Sequence, residues 1–292
     1  MGVAIVNGRH RFRRFAPVLR RPGGLFGVAA VTALVVAGGV SAWWTPHDPL
    51  ATDPRQAWLL PLRGGHLLGT DRVGHDVFSQ LLAGAWQTLV VAVLVAVIAG
   101  TLGLTLALAA NSVLPPVAAP AAELIGVGVA FPALLLAMIL VAVYGGSLLT
   151  VALAIGISSG MAVARVMRAE VARVLASDYV LAARAAGASA ARIARTHVLP
   201  GIRPTLIVQL STMMALAVLA EAALTYLGYG SSPSAPSWGS ILREQQEYIR
   251  IRPLLVIWPG LAVAGTVLGF NLLGDALRAA FDVRLREDAR SR

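Results

Sequence analysis

Two carboxylates and an imidazole lie close together at Asp71, His75 and Asp76, directly before a long apolar run. Side chains of these types are common protein ligands of zinc and other transition metals. The surrounding stretch LGTDRVGHDV favours a different interpretation, because an aspartate followed by Gly74 is typical of a turn or a helix cap. We therefore expect a structural role for these three residues, and the sequence predicts no metal site.

Acids inside apolar runs are the second kind of residue that could do chemistry. Glu221 lies within one such run, and Glu123 lies at the edge of another. A charge at the centre of a bilayer costs about 2.5–3.5 kcal/mol on insertion scales, so such residues usually face a cavity or a partner. Glu221 could line a substrate path or bind an amino group, or it could be protonated and bonded to a neighbouring helix. The structural role is favoured, and Glu123 is expected at headgroup level.

Missing residue types exclude several reactions. The chain has no cysteine, and all 24 residues counted as lysine plus arginine are arginines. These absences rule out a Walker A lysine for ATP, a Schiff base, a thiolate nucleophile and a cysteine-bound cluster. The five histidines all lie outside the apolar runs, so an intramembrane enzyme would lack a clustered nucleophile and base. We expect no catalytic residue, and any ATP that is used must be bound by another chain.

The composition places most of the chain in lipid. Of 292 residues, 57% are apolar and 13% charged, and the mean hydropathy is +0.75. A net charge of +10 would suggest nucleic acid for a soluble protein, but here the arginines lie between apolar runs and indicate membrane topology. The lipid bilayer is therefore the expected partner, and nucleic acid is not.

Six apolar runs are long enough to cross a bilayer, which predicts an all-α polytopic membrane protein with six transmembrane helices. The first run is longer than the apolar core of a signal peptide, which has about 7–15 residues. Phe131–Pro132 in the third run and Pro259 in the sixth predict kinks. The runs are 25–44, 88–110, 124–144, 147–164, 205–229 and 254–273.

The arginines predict the orientation. With the N-terminus inside, inner segments hold eighteen arginines (6 + 7 + 5) and outer segments hold six, as the positive-inside rule requires. Both termini are then cytoplasmic. The predicted organisation is a cytoplasmic tail at 1–24, a first transmembrane helix at 25–44, an extracytoplasmic segment at 45–84, a core of five spans at 85–277 that includes a cytoplasmic loop at 166–203, and a cytoplasmic tail at 278–292.

The stretch 177–204 is a polar island between two apolar runs. A first helix is predicted, because Tyr179, Ala182, Ala183 and Ala186 share one face at i, i+3, i+4 and i+7, and Ser177 or Asp178 can cap its start. This face is almost wholly alanine and therefore smooth. It suits docking into a groove of another protein, although alanine is also simply the best helix former, and short amphipathic helices can lie on lipid.

A second short helix is predicted after a glycine corner. Gly187 should end the first helix and Ser189 should cap the second. Pro200–Gly201 is expected to close the second helix, and Pro204 to open the next span.

These residues resemble the conserved cytoplasmic EAA loop of ABC importer permeases. The resemblance rests on YVLAARAAGAS at 179–189, followed by RI at 192–193 and HVLP at 197–200. In that family the loop forms the coupling helix that sits in a cleft of the ATPase subunit. Leu181 stands where the family has the acid that names the motif, which removes an ion-pair partner but leaves the shape contact. The coupling residues that the resemblance implies are Asp178, Tyr179, Ala182, Ala183, Arg184, Gly187, Ala188, Ser189 and Arg192.

Further matches resemble the C-type permease subunits of dipeptide and oligopeptide importers. They are LGTDRVGHDV at 68–77, where the family usually has arginine at position 75, PSWG at 236–239 and FNLLGDALR at 270–278. The resemblance implies a type I ABC importer permease fold in the bacterial inner membrane, and half of a translocation path. It also implies a second homologous permease, one or two ATPase subunits that bind ATP and Mg²⁺, and an extracytoplasmic solute-binding protein. Peptide, nickel and haem cargo are not distinguishable from the sequence.

A secondary transporter or channel driven by an ion gradient is the alternative from another class. It would need buried ionisable relays and paired inverted repeats. The sequence offers one deep acid, Glu221, and no obvious inverted repeat.

Overall fold

The computed structural model describes residues 21–230 and 236–290, so most of the predicted tail at 1–24 lies outside the described residues. Within them the chain forms helices joined by turns, with no β-strand. This confirms the predicted all-α class. The helices are α1 (Pro22–Ser41), α2 (Val77–Ala110), α3 (Pro115–Ala130), α4 (Ala133–Tyr144), α5 (Leu148–Leu175), α6 (Asp178–Ala185), α7 (Ala190–Ile193), α8 (Leu199–Tyr226), α9 (Trp238–Gln245) and α10 (Leu254–Arg290).

Among the described residues, five helical stretches are individually long and apolar enough to cross a membrane. The predicted third span is instead divided into α3 and α4, which meet at 89°. The expected kink at Phe131–Pro132 is thus a break, and the count reaches six only if this pair forms one span. The cause is local: proline lacks an N–H and disfavours helical geometry in the residue before it, and both Phe131 and Pro132 are extended.

Helix α2 begins at Val77 rather than at the predicted residue 88. Asp76 caps it, since its carboxylate accepts the backbone N–H of Ser79 at 2.8 Å. No proline interrupts the chain between Asp76 and the apolar run, so the helix extends through polar residues. Hydropathy alone missed this extension because Ser79, Gln80, Gln87 and their neighbours lower it, although these three side chains are buried.

The second half of the polar island is continuous with the next span. A π-helical stretch, Ala194–Val198, joins α7 to α8 and passes into Pro200 without ending the helix. The prediction that Pro200–Gly201 closes a separate helix is therefore wrong. A π turn shifts the hydrogen-bond register, which allows a residue without an N–H to be accommodated.

Helix α10 is likewise longer than predicted, since it passes through Pro259 and continues to Arg290 instead of ending at residue 273.

The long helices pack side by side through small residues. Gly156 and Gly160 of α5 lie against Ile98 and Leu102 of α2, where an added Cβ would be within 3 Å of those side chains. Glycines four residues apart on one helix allow this close approach of two helices. Helix α10 contacts both α1 and α8. One apolar cluster joins α2, α5, α8 and the polar island, and it places that island at one end of the bundle.

Candidate functional site

The loop between α5 and α8, residues 176–198, contains α6 and α7 and is called the α6–α7 loop below. Its corner is a glycine: Gly187 has φ of +81°, a left-handed backbone conformation that residues other than glycine rarely adopt. The N–H of Gly187 donates to Arg184 at 2.9 Å, and the N–H of Ala188 donates to Ala183 at 3.0 Å. This is the hydrogen-bond pattern of a Schellman cap, so Gly187 ends α6 as predicted.

The predicted caps differ in outcome. Ser189 caps α7, because its hydroxyl accepts the Arg192 N–H at 3.3 Å. Ser177 precedes α6 but makes no side-chain cap, since its hydroxyl donates instead to the Val174 carbonyl at 2.6 Å. Asp178 remains as the acid in the first turn of α6, where the helix dipole favours a negative charge.

Three apolar side chains anchor the α6–α7 loop to the bundle. Val180, Ile193 and Val198 are fully or almost fully buried, in the same cluster as Met167 of α5 and Ile202 of α8. The helical spacing indicated the alanine face but not the buried position of Val180. Its signal was available, since Val180 and Leu181 are the only large aliphatic residues of α6, and one of them had to face the bundle.

The alanine face is turned away from the bundle. Ala182 and Ala186 are exposed, Tyr179 is half exposed at 52%, and Ala183 is half-buried. The predicted docking residues are therefore brought together on an outward surface. Arg184, Gly187, Ser189 and Arg192 are exposed beside it, Ala188 is half-buried, and Leu181, at the position of the family acid, is 49% exposed.

Polar contacts beside the loop join its two neighbouring spans to each other. Arg173 donates to both carboxylate oxygens of Glu170, at 2.7 and 3.1 Å, and the Thr205 hydroxyl donates to the same carboxylate at 2.9 Å. Glu170 lies on α5 and Thr205 on α8, so this bond joins the two helices between which the loop runs. The sequence did not indicate this bond, because the two residues are far apart in the chain.

Glu221 is buried within α8, at 1% exposure. The Gln87 amide of α2 donates to its Oε1 at 3.5 Å, and its Oε2 has no hydrogen-bond partner among the described residues. This contact joins α2 to α8, in agreement with the favoured structural role. Glu123 lies exposed on α3.

The three residues considered for a metal, Asp71, His75 and Asp76, are not gathered on one centre. Asp71 pairs with His75 at 2.8 Å, whereas Asp76 pairs with His66 at 2.9 Å. His47 also approaches Asp76, at 3.6 Å, and the His47, His66 and Asp76 ligand atoms lie within 4.8 Å of one another. This second trio has metal-ligand residue types that the sequence analysis did not group.

Side chains of the second trio, His66 and Asp76, already form hydrogen bonds with each other and with neighbouring residues. The His66 ring nitrogens face Asp76 and the Gln56 amide oxygen, and Ser79 donates both its N–H and its hydroxyl to Asp76. Burial by itself raises the pKa of Asp76, but the bonds from Ser79 and His66 outweigh it, and the pKa lies below its usual value. The trio therefore holds residues 47–66 against the start of α2, and this group of hydrogen-bonded side chains is called the latch below.

The fold and the α6–α7 loop define a class: a multi-pass α-helical membrane protein with a rigid, outward-facing helical corner at one end of its bundle. A family model described as "Binding-protein-dependent transport system inner membrane component" matches residues 99–287. The chain belongs to this family of inner membrane transport components.

Individual relatives cover nearly the whole chain. The Di/tripeptide transport system permease protein DppC of Pseudomonas aeruginosa is 37% identical over 278 residues, covering 91% of this chain and 90% of the relative. The dipeptide permease DppC of Escherichia coli K12 is 38% identical over 274 residues, covering 92% and 91%. The nickel permease NikC of the same organism is 34% identical over 260 residues, covering 88% and 92%.

A solved structure supports the same fold. The crystal structure of an amino acid ABC transporter with histidines aligns with a TM-score of 0.50 at 22% identity, covering 71% of this chain and 93% of that one. The chain therefore has the ABC transporter permease fold that the resemblance implied.

Proposed function

We propose that this chain is the permease subunit of an ATP-driven importer of dipeptides and oligopeptides, forms half of the translocation path, and performs no chemistry itself. The cargo follows from the two peptide permeases that match about nine-tenths of the chain. ATP and Mg²⁺ would be bound by partner ATPase subunits. A second homologous permease would complete the path, and an extracytoplasmic solute-binding protein would deliver the cargo.

The observation that carries the proposal is the outward alanine face on an apolar anchor. Ala182 and Ala186 present a smooth exposed surface, while Val180 and Ile193 fix that surface to α5 and α8. A surface without side-chain bulk can enter a protein groove closely, and a firmly packed base can transmit a push.

In the proposed mechanism, ATP-dependent closure of the ATPase subunits displaces the α6–α7 loop as a unit. The displacement passes through the buried cluster to α5 and α8, which the Glu170–Thr205 bond joins to each other, and these helices alternate between inward-open and outward-open arrangements. Net transport requires that the cargo bind the two arrangements differently. With the loop in the cytoplasm, as the arginine distribution predicts, both chain termini are also cytoplasmic.

Nickel is the second candidate cargo, favoured by the 34% identity to the nickel permease. The two cargoes are separated by uptake assays on the complete importer in proteoliposomes. We expect ATP-dependent accumulation of a labelled dipeptide that excess nickel does not inhibit; nickel accumulation without peptide uptake would reject the peptide assignment.

The docking surface is tested with Ala182→Asp, which places a charge on the exposed face, and with Ala51→Asp, which makes the same exchange at an exposed position outside the loop. We expect Ala182→Asp to insert normally but to lose co-purifying ATPase and ATP-coupled uptake, while Ala51→Asp retains both. Normal ATPase binding by Ala182→Asp would remove the alanine face from the interface.

A further inference from the structure

A cavity of about 800 Å³ lies at the end of the bundle opposite the α6–α7 loop. It is bounded by the turn at Asp71–His75, by the end of α8 and the residues after it, and by α9 with the turn that follows. Helix α8 starts at the loop and reaches the cavity only at its last residues, about 40 Å away at 1.5 Å per residue. The volume lies within the range typical of small-molecule sites.

One buried side-chain carbonyl oxygen in this cavity lacks a hydrogen-bond partner among the described residues. Gln245 is 4% exposed, and its amide nitrogen donates to Asp71 Oδ2 at 3.4 Å. Because a carboxylate only accepts hydrogen bonds, this contact fixes which end of the amide is nitrogen. The Gln245 Oε1 atom has no hydrogen-bond partner among the described residues. A buried carbonyl oxygen without a donor is unfavourable, and a ligand N–H would satisfy it.

Asp71 itself is not available to a ligand. Its Oδ1 accepts the backbone N–H groups of Val73 and His75, and its Oδ2 accepts the His75 ring and the Gln245 amide. The Asp71 side chain is thus a support that holds Gln245 in place.

Two further acids, Glu244 and Glu247, line the cavity, and the one next to Gln245 in the chain is Glu244. It forms no ion pair within 4 Å with another described residue. Burial and the negative charge of Asp71 raise the pKa of Glu244, and they outweigh the nearby positive charge of His75 and Arg243, which lowers it. An ammonium group placed at Glu244 would relieve both effects and could donate to the Gln245 oxygen as well.

Positive charge lines other parts of the same cavity. The Arg243 guanidinium lies against the backbone of Gly228, where a Cβ would approach its Nη1 to 2.7 Å. Arg72 lies over the Tyr248 ring, 6.0 Å from its centroid. Neither arginine forms an ion pair with a described carboxylate within 4 Å. Arg243 is near enough to Glu244 to lower its pKa, but both guanidiniums keep N–H groups that no described carboxylate accepts within 4 Å and that an anionic group can accept.

We propose that this cavity binds the charged termini of a short zwitterionic peptide, with the α-ammonium at Glu244 and Gln245 and the α-carboxylate at Arg243 and Arg72. An extended dipeptide is about 7 Å long, which the cavity accommodates. This inference rests on the proposed peptide import and deepens it, because it adds a site at the mouth of the path where cargo released by the binding protein is held before entry.

Binding of free dipeptides tests the proposal on the permease–ATPase complex in lipid nanodiscs, without the binding protein. Isothermal titration would compare Ala-Ala with N-acetyl-Ala-Ala, which lacks the ammonium, and with Ala-Ala amide, which lacks the carboxylate. We expect Ala-Ala to bind about 10- to 100-fold more tightly than either capped form, because each charge-assisted contact contributes about 1.5–3 kcal/mol. Equal binding of all three, or no binding of Ala-Ala, would overturn the proposal.

Two variants assign the ends of the peptide. Glu244→Gln should weaken Ala-Ala about tenfold or more but leave N-acetyl-Ala-Ala unchanged, and Arg243→Gln should weaken Ala-Ala but leave Ala-Ala amide unchanged. Glu123→Gln and Arg250→Gln make the same exchanges at exposed positions outside the cavity and should change nothing. Equal weakening of capped and uncapped peptides would contradict the assignment of the ends.

ATP-driven Ala-Ala uptake by the complete importer is measured in parallel. If the wild-type importer accumulates Ala-Ala while Glu244→Gln binds it normally, the cavity proposal fails and the proposed function stands. If Glu244→Gln reduces uptake without changing free-peptide binding, the surface contacts the binding protein instead, which also overturns the proposal. If no importer containing this chain accumulates Ala-Ala, the proposed function itself fails.

Discussion

The two ends of the bundle are held together by different forces. The α6–α7 loop is attached through the apolar side chains of Val180, Ile193 and Val198. The segment before α2, residues 42–76 and here called the outer segment, is attached mainly through charged hydrogen bonds, in which Asp71 and Asp76 each accept several donors. One end of the molecule thus relies on apolar burial and the other on directed polar contacts.

This difference has a mechanical meaning. Apolar packing is not directional, so a packed element can shift slightly with its neighbours without losing a specific bond. Hydrogen bonds weaken steeply when their angles change, so a network of them keeps a segment in one geometry. We interpret the α6–α7 loop as the end that transmits movement and the outer segment as the end that keeps the cavity walls in place.

The largest effect is expected from Gly187→Val, which breaks the corner of the loop. A β-branched residue at φ of +81° is strained by roughly 1–2 kcal/mol or more, although no neighbouring atom would clash with its Cβ. We expect normal insertion and at least a tenfold loss of ATP-coupled uptake in proteoliposomes. Gly265→Val is the matched control, because Gly265 also has open space around it but lies within α10 without a positive φ. Full uptake by Gly187→Val would separate the corner from coupling.

The apolar anchor is tested next by Ile193→Ala. Ile193 is 4% exposed, and truncation of a buried isoleucine to alanine typically costs about 2–4 kcal/mol. We expect amide hydrogen exchange across residues 178–198 to become faster by the factor that corresponds to this loss of free energy. Exchange in the outer segment should change little. Leu181→Ala removes a similar side chain that is half exposed. It should change the opening free energy measured by hydrogen exchange by less than about 0.5 kcal/mol. Similar effects of the two variants would show that burial does not hold the loop.

The latch of the outer segment should depend on pH. The pKa of Asp76 is lowered in the folded state, so its contribution is complete above the unfolded value of about 4 and is lost as the pH falls through the folded value. We expect hydrogen exchange in residues 47–80 to accelerate below pH 4, after correction for intrinsic rates, while the α6–α7 loop is unaffected. Asp76→Asn should cost about 1–3 kcal/mol and remove this pH dependence.

The control for the latch is Asp48→Asn, which changes an exposed aspartate that accepts a single backbone N–H. Its effect should be below about 0.5 kcal/mol. If Asp76→Asn and Asp48→Asn behaved alike, the outer segment would not be held by its charged bonds.

The same contrast decides what could be predicted from the sequence. The α6–α7 loop is built from neighbours in the chain, so the helical spacing of its alanines, Gly187 and Ser189 sufficed to predict its corner and second cap. His66 meets Asp76, Glu170 meets Thr205 and Gln245 meets Asp71, and no local sequence pattern indicates any of these three pairs. The cavity was missed for that reason, although Asp71 and the PSWG stretch at 236–239 were both noted.

The predicted helix boundaries were wrong where hydropathy and backbone chemistry indicate different helix ends. The apolar run at 124–144 is uniform in hydropathy, but Pro132 divides the helix at that point. Conversely, Gln80 and Gln87 lower the hydropathy of the stretch after Asp76, yet the chain there contains nothing that would end a helix. Hydropathy reports burial in lipid, whereas caps and prolines determine where helices start and stop.

The smallest effect is expected from Glu221→Gln, within the region that joins the two ends. Glutamine has nearly the same shape, can still accept from the Gln87 amide, and removes an ionisable group from the interior. If Glu221 is a structural contact between α2 and α8, ATP-driven uptake should change less than about threefold. A transporter driven by an ion gradient would instead lose uptake, because its single deep acid could no longer exchange a proton. Uptake is measured with ATP present and the proton gradient collapsed, and then with the gradient intact and ATP removed. Gradient-driven uptake that disappears in Glu221→Gln would contradict ATP coupling and would make Glu221, rather than the α6–α7 loop, the residue on which transport depends.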